Sequence, residues 1–487
     1  MSSDEIIDGY RVSSVFKLPN GKEYNISFNI TIRRVSDEYR YIVDEVYDAK
    51  LINKARELID NIIYTMTYND QFFEDPVKYI LDSLDKQYTR GRDKVFYQNI
   101  RKVIEYVIIR DVIGYREITP LLSDPDIEDL SLSAPNTYVL VWHKRYNNQG
   151  WMKTNIFLND SEVKKIINKL AFRSGKSINM LSPVLEGVLP ENYRVVATWL
   201  NEVSPRGSSF TIRKYKSRPY TLTELVSSGV LPSYVAAYLW VLVDRKKFIM
   251  IIGPSGVGKT TLLNSLLLLI PTSKRIITIE EIPEVYLRNH IGWKPLTTRW
   301  DKDTLDEILN LLKYSLRERA DYIILGESRG LEARLVFQGA ATGHGCITTF
   351  HASTLRELYA RLRSKPILLD ASMYKLLDTV VIMRMYREGS SHIRRVHKIY
   401  RHLNNKWILI YCDRWDDARN RERIYNALDE EEKVLYSRFL KFIKYLVKMK
   451  VLDDTEFSTR INLFYNGKYR LVNDRWILEL GVGDGVN

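Results

Sequence analysis

The stretch Gly253-Pro254-Ser255-Gly256-Val257-Gly258-Lys259-Thr260 follows the spacing G-x-x-x-x-G-K-[ST]. Its flanks narrow the fold further. Lys247 to Ile252 is a short apolar run that reads as a buried parallel strand. Thr261 to Leu269 reads as a helix, which Pro271 stops. Strand, glycine loop and helix in that order make a phosphate cradle. Glycines let the backbone wrap an anion, and the loop amides and helix N-terminus present N–H groups to it. Lys259 adds a point charge for the β- and γ-phosphates, and the Thr260 hydroxyl suits Mg²⁺. The segment Gly253 to Thr261 is therefore expected to bind a nucleotide inside an α/β fold.

A chain of 487 residues has room for about three domains, each with its own core. Hydrophobic content of 45% and charged content of 27% exclude a disordered or fibrous chain. The net charge of +13 favours an acidic partner, such as anionic lipid, acidic protein loops or nucleic acid. Only two cysteines, Cys346 and Cys412, are present, too few for a disulfide framework or a cysteine metal site. The first residues lack the basic and apolar regions of a signal peptide. No apolar run approaches the roughly 18 residues of a membrane span. The expectation is a cytoplasmic protein, peripheral at most to the inner face of the cell membrane.

Before the glycine loop, alternation from Val12 to Ile32 around Pro19-Asn20-Gly21 predicts a hairpin. Residues 39–114 read as largely helical. Leu121 to Ser131 is rich in turn residues, Tyr138–Trp142 reads as a strand and Ser161–Phe172 as an amphipathic helix. Strands return at Arg194–Trp199 and Ser209–Arg213, and the basic segment Lys214–Pro219 reads as a linker. Beyond the loop, strands and helices alternate, as βαβ units require. Strands are expected at Arg275–Ile279, Tyr322–Leu325 and Ile347–Phe350. Residues 376–412 read as β with a hairpin near Gly389, and Glu430–Lys450 as one long helix.

Hydrolysis needs more than a phosphate cradle, because carboxylates must hold the magnesium shell and orient water. Glu280 and Glu281 stand at the end of one expected strand, where open parallel sheets bind ligands. Glu327 ends a second apolar strand, after Gly326. His344 and His351 flank a third, and both are candidates for groups near a γ-phosphate. No cysteine or carboxylate completes a metal site around these histidines.

Taken together, GPSGVGKTT, TIEEIPE, LRERADYIILGESRGLEA and TGHGCITTFHA resemble the Walker A, Asp box, Walker B and His box of the type II/type IV secretion ATPase superfamily. Upstream, the segments at Leu121–Asp129, Leu189–Val195 and Arg206–Lys214 are similar to the N-terminal domain of its archaeal branch, which serves type IV pili and archaellum-like filaments. The resemblance covers roughly residues 115–400. It implies a RecA-like P-loop ATPase core with a smaller N-terminal α+β domain. The corresponding division is 1–114 as an extension, 115–219 as the N-terminal domain, 220–400 as the core and 401–487 as an appendage.

By the same resemblance, ATP and Mg²⁺ are the cofactors, and Gly253 through Thr261 bind the nucleotide. Thr260 and Glu327 serve the metal, Glu280 or Glu281 activates water, and His344 and His351 sense the γ-phosphate. Arg194, Arg206 and Arg213 correspond to arginines that close over the nucleotide. Three departures stand out: the Asp box carries two glutamates, Walker B reads Gly-Glu-Ser-Arg, and Val257 stands in place of the serine before the second P-loop glycine. The function implied is a homo-hexameric motor acting on a polytopic membrane platform protein, with anionic lipid as a further contact. The alternative is a conjugation-type motor that moves nucleic acid, although no helix-turn-helix, zinc finger or aromatic-basic repeat appears. A regulator that binds nucleotide without turnover is disfavoured by Glu280, Glu281 and Glu327.

Overall fold

The computed structural model describes residues 4–36, 38–88, 93–214, 218–281, 283–287, 289–298, 304–328, 330–388, 391–472 and 475–478. The chain divides into two compact units, Met1–Ser217 and Arg218–Asn487. The linker expected at Lys214–Pro219 and the turn at Gly389 fall partly or wholly outside the described residues.

The first unit is built on a nine-stranded sheet. Asp4–Lys17 and Glu23–Val35 form the expected hairpin. Along its second strand Tyr24, Ile26, Phe28, Ile30 and Ile32 are buried in strict alternation. That period puts one face inward. The helices Ala49–Thr65, Pro76–Gln87 and Asp93–Val107 share a core with it. The helical reading of 39–114 needs one correction, since Glu38–Asp44 is a third strand with Tyr41 and Val43 turned inward. It pairs with Glu23–Val35 on one side and, in parallel, with Trp151–Leu158 on the other. Residues on both sides of position 114 therefore belong to one sheet.

The second unit carries an eight-stranded sheet. In spatial order its strands are Trp293–Thr297, Ile276–Glu280, Tyr322–Ser328, Gly345–Phe350, Phe248–Ile252, Leu377–Glu388, Ser391–Leu403 and Lys406–Cys412. The first six run parallel, and the last two return antiparallel. Every residue of Phe248–Ile252, Ile276–Glu280 and Gly345–Phe350 is buried. Such strands lie under cover on both faces, so they lack alternation. Trp293–Thr297, not anticipated from sequence, contains Pro295 and sits at the sheet edge, where a missing N–H is tolerated.

One face of this sheet meets the nearly all-buried helix Ser233–Asp244, the P-loop helix Lys259–Leu267 and the C-terminal helix Glu430–Lys448. Trp240 stacks on Phe439 with ring centroids 4.2 Å apart and lies close to Phe464. The other face meets Thr304–Ser315, Glu332–Ala341 and Leu355–Arg363. This is a RecA-like α/β core.

Candidate nucleotide-binding site

The glycine loop leaves the central strand Phe248–Ile252 and enters the helix Lys259–Leu267. Two of its glycines are required by geometry. Gly253 approaches the Met383 carbonyl so closely that a Cβ there would lie 2.8 Å from that oxygen. Gly258 holds φ at 93° as it caps the helix. A side chain is strained in that left-handed region. Pro254, Ser255 and Gly256 are exposed at the apex, Val257 is buried, and Thr260 and Thr261 are half-buried at the helix start. Lys259 is buried, and its Nζ donates to the carbonyls of Gly253 at 3.0 Å and Pro254 at 2.9 Å.

Glu280 closes the neighbouring parallel strand at the same edge of the sheet. It is only 5% exposed. Its Oε1 accepts N–H bonds from Glu284 at 3.0 Å and Val285 at 3.1 Å. Burial pushes its carboxyl up to about 8, against the pull of those two donors. Gly326 makes room for it: a Cβ on Gly326 would stand 2.8 Å from Glu280 Cγ. Glu281, by contrast, is exposed. The two adjacent glutamates thus have separate environments, a distinction invisible in the string of letters.

Glu327 lies near the end of Tyr322–Ser328, and His351 directly follows Gly345–Phe350. Their side chains meet as an ion-pair contact between His351 Nε2 and Glu327 Oε1. Because Ile252 and Phe350 are register partners, His351 shares an edge with the glycine loop. His344 does not. It precedes the first residue of the same strand, and its Nδ1 bonds Thr342 Oγ1 at 2.9 Å beyond the end of Glu332–Ala341. At roughly 3.3 Å per residue the strand separates the two histidines by on the order of 20 Å. The expectation that both histidines stand near one γ-phosphate therefore fails within this chain.

Thr260 at the start of the P-loop helix and Glu327 near the end of its strand carry oxygen donors, a type that suits Mg²⁺, whereas the Glu280 carboxyl is held by two backbone N–H groups.

The three candidate arginines lie in the first unit. Arg194 and Arg213 are register partners on adjacent strands. Arg194 Nη2 faces Glu186 at 3.8 Å, and Arg213 Nε donates to Asp129 at 2.8 Å. Arg206 is exposed in the turn between Ser204 and Gly207.

Sequence reasoning missed Arg394, whose Nε donates to the Gly256 carbonyl at 2.9 Å. The only signal for it was the basic pair Arg394-Arg395, one among many in a basic chain.

A glycine loop between a buried parallel strand and a helix, with carboxylates on the adjoining strand ends, defines a P-loop nucleotide-binding protein. Comparison with known proteins narrows the class. The model of the family "Type II/IV secretion system protein" matches residues 192–447. An uncharacterized protein of Methanocaldococcus jannaschii is 30% identical over 403 residues, covering 79% of this chain and 70% of the relative. The type IV secretion system protein VirB11 of Bartonella henselae is 28% identical over 294 residues, 53% of this chain and 81% of that protein. Among solved structures, the Legionella pneumophila ATPase DotB is 18% identical with a TM-score of 0.44, covering 70% of this chain and 93% of its own. The chain belongs to the type II/IV secretion system protein family and is an ATPase of that family.

Proposed function

We propose that the chain is a hexameric motor that hydrolyses ATP to power assembly of type IV pilus-like filaments, or protein secretion, through a membrane platform protein. The observation that carries this reading is the convergence of the glycine loop, Glu280, Glu327 and His351 on one sheet edge. Water attacks the γ-phosphorus, the bond to the β-phosphate oxygen breaks, and ADP and phosphate leave. Glu280 takes the proton of the attacking water. Lys259 transfers its bonds from the Gly253 and Pro254 carbonyls to the phosphates. Thr260 and Glu327 would hold Mg²⁺, which when bound supplies positive charge to the phosphate oxygens. His351 answers the γ-phosphate through Glu327. Arg194, Arg206 and Arg213 are proposed as further cations, from the same subunit or a neighbour. Residues 1–114 and 401–487 share sheets and cores with the segments beside them, so they are proposed as parts of the same machine and not as separable additions.

A base with its carboxyl near 8 sets a pH profile. Turnover is expected to rise with pH up to about that value and then level. Glu280→Gln is expected to remove both the rise and the turnover. Stability runs the other way. Between the ordinary value of 4.5 and about 8 the folded chain holds a proton that the unfolded chain has released. The contribution of Glu280 is therefore full below 4.5 and declines as pH rises through that window. Parallel pH series of turnover and of melting temperature check both signs.

Among the described residues no helix is long and apolar enough to cross a membrane. Contact with a platform protein or with anionic headgroups would then be peripheral, in keeping with the net charge of +13. The deciding experiment is Mg²⁺-dependent ATP turnover across a protein concentration series. Each concentration is run alone, with anionic vesicles and with single-stranded DNA. Specific turnover that rises with concentration and with vesicles is expected. Stimulation by DNA alone would favour the conjugation-type reading instead.

A further inference from the structure

The apex of the glycine loop is gripped from outside by the antiparallel end of the sheet. Arg394 Nε donates to the Gly256 carbonyl, and the Arg394 Cδ would lie 3.6 Å from a Cβ on Gly258. Gly256 has φ of +77° and open space where a side chain would project. Val257 anchors one end of the Gly256–Val257 peptide in the core, while the Gly256 end meets nothing where a side chain would project, and glycine moves between backbone regions at little cost. The brace is therefore external.

A β-bulge sets the reach of Arg394. Ile382 pairs with Lys398, but Met383 pairs with Val396, so His397 is an extra residue in the ladder. Side chains alternate with period two, and one extra residue reverses the faces beyond it. The bulge puts Val396 and Ile399 on one face, and both pack in the cluster that holds Val257 and Leu262. Arg394, two residues before Val396, shares that face and meets the loop. The bulge is pinned in turn. His397 Nδ1 donates to Asp413 Oδ1 at 2.9 Å, and Tyr386 donates to Asp413 Oδ2 at 2.6 Å.

We propose that Arg394 is a positioning residue for nucleotide binding, a brace on the outer carbonyl of Gly256 that keeps the Val257 amide turned toward the phosphates. In a trans peptide the carbonyl and the following N–H point in opposite directions, so fixing one fixes the other. Phosphate cradles depend on such amides converging on the anion. The proposal rests on the nucleotide reading of the loop and adds to it the hairpin residue that preorganises the cradle.

The test is binding of a fluorescent ADP analogue to the full chain, with Lys259→Ala as the binding-deficient control. Arg394→Ala is expected to weaken binding about tenfold, the scale of one misaligned hydrogen bond to phosphate. Arg394→Gln, which keeps an N–H donor without the charge, is expected to recover much of that loss. Competition by pyrophosphate should weaken in parallel, because the affected contacts are to phosphate. Melting curves within a few degrees of wild type confirm that each variant is folded. Binding by Arg394→Ala within twofold of wild type would overturn the brace. So would a glutamine variant as weak as alanine beside a lysine variant as tight as wild type, since charge alone would then matter. If the wild-type chain bound no ADP, the nucleotide reading itself would fall, which is a separate outcome.

Discussion

Lys259→Ala is expected to reduce ATP turnover by roughly 10²–10³-fold, the scale of losing one donor to developing charge in a closed site. The structure explains why the loss is not made good by a neighbour. Lys259 is buried, and its Nζ is bonded to two loop carbonyls, Gly253 and Pro254. Those bonds hold the ammonium inside the loop, poised for an incoming phosphate. Arg394 reaches the loop from its outer side at Gly256 and so does not substitute. Folding should survive, because the removed charge takes its desolvation cost with it. Steady-state turnover beside a melting curve separates the two effects. Turnover near the wild-type rate in a folded Lys259→Ala protein would end the P-loop mechanism.

The largest expected effect on stability lies at the back of the sheet. Arg401, on the second strand of the hairpin, makes a two-pronged bond to Glu432 at 2.9 and 2.8 Å. A third bond goes to the Ala427 carbonyl at 2.6 Å. Arg401 is 3% exposed and Glu432 is 1% exposed. Glu432 also completes the capping box of Glu430–Lys448 with Asp429. Removing one member of a buried pair costs about 3–5 kcal/mol, and here Asp378, 3.5 Å from Arg401 Nε, offsets part of the charge left behind. Glu432→Ala should therefore lower the melting temperature by roughly 10 °C in a unit of this size. The double change Arg401→Met with Glu432→Leu should recover part of the loss, because it removes both members of the pair while Asp378 keeps Lys247 at 3.9 Å. A single change that leaves melting unaltered would show that water reaches the pair.

The glycine loop and the strand ends bearing Glu280, Glu327 and His351 were legible because each depends on a few consecutive residues. A short apolar run, a turn and a carboxylate carry their own local physics. The environments of Glu280 and Glu281 were not legible, since burial of the first depends on the missing side chain of Gly326, from another strand. His344 was misplaced for a related reason. Seven positions in sequence suggest neighbours, yet an extended strand carries the two histidines to opposite edges. Arg394 lies 138 positions from Gly256, and a bulge at His397 decides which face it occupies. Nothing in a single sequence announces a bulge. The strand Glu38–Asp44 merged with the helical pattern after it, because one inward face over seven residues is a short signal.

The segment after Cys412 carries none of the quoted motifs, yet it is woven into the ATPase itself. Trp240 sits against Phe439 and Phe464, and its indole N–H donates to Tyr465 at 2.9 Å. Tyr465 in turn donates to Asp244 at the end of the same helix. The turn just past the P-loop helix is tied to Asn462, which accepts from the Thr272 amide at 2.8 Å. Relatives that differ here cannot trade their C-terminal segments as independent cassettes. A chimera that swaps residues after Cys412 without the matching surface of Ser233–Asp244 would set unmatched aromatics beneath the nucleotide loop. Diversification of this region is therefore expected to proceed by paired change in the two segments, so that any specificity housed there is inherited together with the engine it is bolted to.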